Sequence, residues 1–115
     1  MTYNRFMFDT ITENNLINTL YTFHRGKENA IKSKDLAREL NISRRKLRAL
    51  TNYLLIEKNI PIASTCDAGI FYIVNLEEMK QSKAELLSRV RALVERADGT
   101  ERAYNKTYNE EFTLF

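Results

Sequence analysis

Residues 31–50 read IKSKDLARELNISRRKLRAL and decide the fold of the chain. Ser33 suits the N-cap of a helix, and Leu36 and Leu40 recur four residues apart on the apolar face of that helix. Asn41 tolerates the left-handed backbone conformation in which helices often end. The stretch therefore predicts a short helix, a tight turn and the beginning of a second helix.

The second predicted helix covers residues 43–57 and has one apolar and one cationic face. Ser43 is its predicted N-cap. The apolar side chains recur at spacings of three and four residues and share one face: Leu47, Leu50 and Leu54. Cationic and polar side chains occupy the opposite face: Arg45, Arg48 and Asn52, with Arg44 beside them. An apolar inner face under a cationic outer face is what a helix that enters the major groove of DNA requires.

Residues 60–74 predict a β-hairpin, because β-forming residues flank a turn at residues 66–69. Gly69 supplies the positive φ that the turn needs. The turn carries Asp67 and neither Lys nor Arg, so we expect its tip to make little contact with DNA phosphates. With a supporting first helix, residues 1–75 predict a winged helix-turn-helix. Its class is α+β, mostly α, with a three-helix core and a β-hairpin wing.

The first helix is predicted to open at Thr12 and to end at Gly26. Leu16 and Leu20 belong to its apolar stripe, which we expect to pack behind the other two helices. A short strand at residues 30–32 is expected to pair at the base of the wing.

Two parts of this pattern also resemble a known family. The motif SKDLA, followed by NIS and by Leu47 and Leu50, resembles the helix-turn-helix of biotin-repressor-type winged-helix domains, and IPIAST with GIFYIV resembles their wing. Over about residues 30–97 the chain is similar to small phage and prophage proteins encoded among replication genes. The resemblance implies a DNA-binding role in phage or prophage replication or regulation, although winged helices also serve as protein-interaction modules.

The centre of the chain is strongly basic. The whole chain carries a net charge of +3, whereas residues 24–58 hold ten Lys or Arg against four Asp or Glu, a net of +6. Four cations stand within the five positions 44–48, where they oppose the positive end of the helix dipole. A polyanion would offset that cost, and the alternative interpretation is a solvated helix face. We therefore favour double-stranded DNA as the partner.

The expected DNA contacts divide into two sets. Base edges are expected to meet the outer face of the second helix through Arg44, Arg45, Arg48 and Asn52. Phosphates are expected to meet a set of hydroxyl and ammonium groups around it: Ser43, Lys46, Lys32 and Lys34.

A long C-terminal helix is predicted over residues 76–97, with Asn75 as its N-cap. Its apolar residues follow a heptad pattern that Lys83 interrupts at one a position. Two interpretations stay open: the helix packs on the first helix of its own chain, or it forms a homodimer. Asp98-Gly99 is predicted to break the helix, leaving residues 98–115 as a polar linker and an apolar-ended tail.

That tail ends in Glu111-Phe112-Thr113-Leu114-Phe115. In one interpretation Phe112, Leu114 and Phe115 dock on the domain or on a dimer mate. In the other the tail binds a protein, because it resembles the bacterial sliding-clamp-binding pentapeptide Gln-Leu-x-Leu-Phe. By that resemblance Leu114 and Phe115 fill the hydrophobic pocket of the clamp, and Glu111 and Phe112 stand where the pattern has Gln and Leu. The alternative function is therefore a non-enzymatic adaptor that binds a clamp or another replisome protein.

The sequence lacks the usual signs of an enzyme or a metalloprotein. One histidine and one cysteine, His24 and Cys66, are too few for the roughly four ligands of a structural zinc site. The three glycines are too scattered for a phosphate-binding loop, and no apolar run is long enough to span a membrane. We expect no enzymatic activity, no cofactor and no metal, and the single cysteine favours a reducing cytoplasm.

Overall fold

The computed structural model describes residues 9–109, which divide after Ser82 into two compact units. Helix α4 begins in the first unit and, with Asn109, forms all that is described of the second. The elements are α1 (Thr10–Phe23), a 3₁₀ turn (Lys27–Asn29), α2 (Ser33–Leu40), α3 (Arg44–Glu57), β1 (Ile62–Thr65), β2 (Gly69–Tyr72) and α4 (Leu76–Tyr108). The predicted class, α+β and mostly helical, is confirmed. Residues 1–8 and 110–115 of the predicted segments lie outside the described residues.

The first helix starts and ends earlier than the sequence predicted. Asp9 is its N-cap, and its Oδ1 accepts a hydrogen bond from the Thr12 backbone N–H at 2.6 Å. This hydrogen bonding to Thr12 lowers the pKa of Asp9 below its ordinary value. The helix ends at Phe23 rather than at Gly26, because the Gly26 N–H donates to the Tyr72 carbonyl at 2.8 Å. The chain thus leaves α1 to meet the end of β2.

The turn between α2 and α3 is set by local side chains. Asn41 adopts the predicted left-handed conformation, with φ 56° and ψ 45°. Ser43 caps α3 as predicted, and its hydroxyl accepts a hydrogen bond from the Lys46 backbone N–H at 3.0 Å. The predicted N-cap of α2 is wrong by one residue: Lys32 holds that position, and Ser33 is the first helical residue. The Ser33 hydroxyl is engaged by a side chain of α3 instead of by its own helix.

One face of each of the first three helices packs with the hairpin to form the core of the first unit. Ile42 lies in the turn between α2 and α3 and packs against this core. Burial of a large aliphatic side chain contributes about 1.5–3 kcal/mol, so the core fixes which face of α3 points inward. The buried residues that form this cluster are Leu16, Leu20, Leu36, Ala37, Leu47, Leu50, Leu54, Ile62 and Ile70.

The hairpin pairs β1 and β2 antiparallel around a turn at residues 66–68. The strand predicted at residues 30–32 is reduced to one bridge, in which Ile31 and Ile70 exchange two backbone hydrogen bonds of 2.9 and 2.8 Å. Gly69 stands beside this bridge with a φ of 112°. The hairpin is thereby tied to the segment that leads into α2.

Helix α4 begins at a cap that the sequence predicted. The Asn75 Oδ1 accepts a hydrogen bond from the Glu78 N–H at 2.8 Å. The Glu78 carboxylate in turn accepts hydrogen bonds from the backbone N–H groups of Val74, at 3.0 Å, and of Lys27, at 2.8 Å. One carboxylate therefore joins the 3₁₀ turn to the start of α4.

The predicted break at Asp98-Gly99 is wrong, because α4 continues to Tyr108 and has 33 residues. A glycine inside a helix costs only about 1 kcal/mol relative to alanine, and most of its neighbours here are good helix formers. Thr100 bonds back to the Arg96 carbonyl at 2.9 Å, and the rings of Tyr104 and Tyr108 lie 5.0 Å apart one turn from each other. Residues 98–108 are therefore helix rather than linker.

Candidate nucleic-acid interface

The outer face of α3 carries the polar side chains that the sequence placed there. Arg45, Arg48 and Asn52 are exposed, while Leu47 and Leu50 on the opposite face are 1 % and 0 % exposed. At about 1.5 Å of rise per residue, the three polar positions span about 10 Å along the helix axis. The face is therefore a cationic ridge with an amide at its far end.

Arg44 stands at the edge of this ridge and connects it to α2. Its Nη2 donates a hydrogen bond to the Ser33 hydroxyl at 3.2 Å. Lys34 is the next residue of α2, and its side chain is exposed. The first turns of α2 and α3 thus place Arg44 and Lys34 near each other at one end of the ridge.

Lys46 lies on a different side of α3 from the ridge. Successive residues of a helix point about 100° apart, and Lys46 is half-buried where Arg45 is exposed. Its charge further lowers the pKa of Asp9, which the hydrogen bonds with Thr12 lower most. The Lys46 side chain therefore interacts with the N-cap of α1. Its backbone N–H donates to the Ser43 hydroxyl that caps α3.

Lys32 contacts the hairpin turn. Its Nζ donates a hydrogen bond to the Asp67 carbonyl oxygen. The Asp67 carboxylate lies 3.9 Å from the Lys27 Nζ. Its pKa is lowered most by the Ala68 N–H, which donates to it at 2.9 Å, and then by the Lys27 charge. The tip of the hairpin is thus less repulsive to an anion than the sequence of the turn predicted, because two lysines accompany its carboxylate.

One arginine of the ridge lacks a counter-charge within the described residues. Among residues 9–109 the Arg48 guanidinium makes no ion pair, whereas on α2 the Arg38 guanidinium lies 4.0 Å from the Asp35 carboxylate. The first turn of α3 holds no acidic residue. An exposed guanidinium without a counter-charge attracts external anions.

Sequence reasoning missed two features of this surface. Ile56 is 54 % exposed and lies one turn beyond Asn52, where it adds an apolar patch to the outer face of α3. Ile56 follows Asn52 by four residues, and this spacing alone would have placed its side chain on the outer face of α3. The second feature is the pairing of Lys27 with Asp67, for which a separation of 40 residues left no local signal.

Three further sequence-based expectations concern a metal site, a membrane-spanning helix and the C-terminal tail. Residues 9–109 contain no cluster of His, Cys, Asp and Glu able to hold a metal ion. Within the same range, no helix combines the length and the apolar character needed to cross a bilayer. The proposed clamp-binding residues lie outside the described part of the chain: Glu111, Phe112, Leu114 and Phe115.

Comparison with known proteins finds no matching family model, no matching curated protein and no matching solved structure.

Proposed function

We propose that residues 9–75 are a winged helix-turn-helix that binds double-stranded DNA, with α3 in the major groove and the β1–β2 hairpin as its wing. The observation that carries the proposal is the exposed cationic ridge of α3 directly opposite its buried leucines. A groove about 12 Å wide accepts a helix, and the core holds α3 so that this ridge faces outward.

Each side chain of the ridge has a chemical role in this arrangement. The guanidinium groups of Arg45 and Arg48 donate two hydrogen bonds each to the acceptors of a guanine edge. The Asn52 amide suits the donor and acceptor pair of an adenine edge, and Ile56 suits a thymine methyl group. Arg44 stands at the edge of the ridge, where it meets a base edge or the flanking phosphate.

Phosphates of the two strands are bound on either side of the ridge. Lys34 reaches them from the first turn of α2, where the backbone N–H groups of the helix add a favourable dipole. The Ser43 hydroxyl keeps its own proton to donate, although its oxygen already accepts from Lys46. At the tip of the wing the charge of Asp67 is offset by Lys27 of the 3₁₀ turn and by Lys32 at the start of α2. These groups position the protein and carry no sequence information themselves.

The biological setting is proposed from the resemblance of residues 30–97. Small phage and prophage proteins of this type are encoded among replication genes, so we place the DNA binding in phage or prophage replication or regulation, in the cytoplasm of a bacterial host.

Duplex DNA is expected to bind at least about tenfold more tightly than a single strand of the same sequence and length. A single strand binds best where bases stack on exposed aromatic rings, and the outer face of α3 presents none. Fluorescence anisotropy of a labelled 20-base-pair duplex and of each of its strands measures the preference. Equal affinity for duplex and single strand would contradict insertion of α3 into a groove.

A second candidate function rests on residues 111–115, whose sequence resembles a sliding-clamp ligand. Deleting these five residues is expected to abolish binding to a bacterial sliding clamp in surface plasmon resonance. Glu111→Gln is expected to tighten binding, since it restores the amide donor of the pattern. Thr113→Ala, at the position where the pattern allows any residue, is the matched control and is expected to change nothing. A parent protein that does not bind the clamp would remove this candidate, and DNA binding would be unaffected.

A further inference from the structure

The second unit presents to solvent an apolar stripe that is dense from Leu86 to Val94 and resumes at Tyr104 and Tyr108. No residue of α4, the whole of which is described, is buried. From Lys83 onward its large apolar side chains are between 47 % and 64 % exposed: Leu86, Leu87, Val90, Leu93, Val94, Tyr104 and Tyr108. An exposed apolar stripe of this kind marks an interaction surface.

The stripe follows a heptad frame without interruption through Gly99. Because α4 continues beyond the predicted break, the frame extends to Tyr104 and Thr107. Gly99 itself falls at an outward-facing c position. The a positions are Lys83, Val90, Ala97 and Tyr104, the d positions are Leu86, Leu93, Thr100 and Thr107, and the e positions that widen the stripe are Leu87, Val94 and Tyr108.

We propose that residues 83–108 pair with the same residues of a second copy of this chain as a parallel, two-stranded coiled coil. The aliphatic centre of the stripe has Val90 at an a position between Leu86 and Leu93 at d positions. A β-branched residue at a with leucine at d favours two parallel strands. A single lysine at an a position, here Lys83, fixes register and strand number at some cost in stability.

Charge complementarity also selects the parallel arrangement. In a parallel pair, a g residue faces the e residue five positions further along the partner helix. Arg96 at g then faces Glu101 of the second copy, and the two-fold axis repeats this attractive pair. An antiparallel pair brings g positions together and sets Arg96 against Arg89 or Arg96 of the second copy, according to register, and either pair is repulsive. Within its own helix, Arg89 is paired with Glu85 at 2.6 Å.

A two-fold coiled coil would join two copies of the DNA-binding unit. If the proposed function also holds, the preferred DNA site is an inverted repeat whose half-sites are spaced by whole helical turns. The pairing of α4 does not depend on DNA binding, and each proposal can fail alone.

Sedimentation equilibrium of the full chain is the first test. The parent is expected to be a dimer at about 10 µM, a concentration that populates a dimer with a dissociation constant of about 1 µM or below. Leu86→Lys buries a charge in the seam and is expected to raise the dimer dissociation constant at least about 100-fold. Ser88→Lys adds the same charge at an outward f position and is expected to leave the dimer intact. A monomeric parent, or equal effects of the two variants, would overturn the proposal.

A charge exchange tests the orientation while leaving the apolar seam unchanged. Arg96→Glu replaces two attractive pairs by two repulsive ones and is expected to weaken the dimer roughly tenfold. Adding Glu101→Arg restores opposite charges and is expected to recover most of that loss. In an antiparallel dimer position 96 does not face position 101 of the second copy, so Glu101→Arg would fail to reverse the effect of Arg96→Glu, which would contradict the parallel pair. Circular dichroism of each variant confirms that α4 remains helical.

Discussion

Replacing Arg44, Arg45 and Arg48 together with alanine is expected to lower affinity for duplex DNA at least about 100-fold. A guanidinium that contacts a base edge or a phosphate contributes about 1–3 kcal/mol, and about 1.4 kcal/mol is a factor of ten in affinity. Three contacts on one ridge are not independent, so their sum is an upper bound. The loss is measured by anisotropy of a labelled duplex at fixed salt.

The fold is expected to survive this triple substitution. All three side chains are exposed, alanine is the best helix former, and removal of cations from the first turns of α3 relieves their opposition to the helix dipole. The loss of the exposed hydrogen bond from Arg44 to Ser33 opposes that relief, so the thermal midpoint is expected to change little. That expectation separates loss of the interface from loss of structure.

A charge-matched control sits on α4. Arg91, Arg102 and Lys106 are exposed and lie at outward heptad positions, so their replacement by alanine removes the same net charge far along the chain from α3. This control is expected to lose less than about threefold in affinity, through the long-range field alone. Equal losses in the two triple variants would mean that net charge, rather than the α3 ridge, binds the DNA.

Gly69→Ala is expected to lower the free energy of unfolding of the first unit by about 3 kcal/mol or more. A Cβ at this position would meet the backbone of the neighbouring segment, with the Ile31 carbonyl carbon at 2.8 Å and the Lys32 Cα at 3.2 Å. The φ of 112° is strained for any residue with a Cβ. Relief requires that the Ile31–Ile70 bridge open, which releases the hairpin from α2.

The matched control for this substitution is Gly99→Ala. A Cβ there has as its nearest neighbour the mobile end of the Arg102 side chain, at 3.6 Å, and the backbone is helical. Alanine is expected to stabilise α4 by up to about 1 kcal/mol. Urea unfolding followed by circular dichroism measures both effects. A Gly69→Ala variant as stable as the parent would show that the bridge contributes little.

Local patterns in the sequence were sufficient to predict α3 and its faces. Ser43 caps a helix whose leucines recur at three and four residues, and the leucines decide burial before any tertiary contact is known. The side chains opposite them, Arg45, Arg48 and Asn52, followed from the same periodicity. The part of the candidate site that lies on one helix was therefore predictable.

The side-chain contacts between distant segments were not predictable from the sequence. The Glu78 carboxylate binds the Lys27 N–H across 51 residues, and Lys32 binds the Asp67 carbonyl across 35. No short-range pattern encodes such partners, and so Lys32 was predicted as a phosphate ligand and a residue of a short strand beside the wing, without the hydrogen bond from its side chain to Asp67. The helix through Gly99 was missed for another reason: the break was predicted from Asp98-Gly99, although six of the ten nearest residues are good helix formers, namely Glu95, Arg96, Ala97, Glu101, Arg102 and Ala103.

The dependence of duplex affinity on salt tests the central claim most directly, because it counts the phosphate charges that the protein neutralises. Each neutralised phosphate contributes about −0.9 to the slope of log affinity against log salt concentration. With Lys27, Lys32, Lys34 and Arg44 near phosphates, and Arg45 and Arg48 on base edges, we expect a slope of about −4 between 50 and 200 mM salt for the parent. The triple alanine variant loses the phosphate contact of Arg44 together with both base-edge contacts, so we expect its slope to fall to about −3 while its affinity falls at every salt concentration. A slope near zero in the parent, or a triple variant with the affinity of the parent, would contradict binding of DNA by the cationic face of α3.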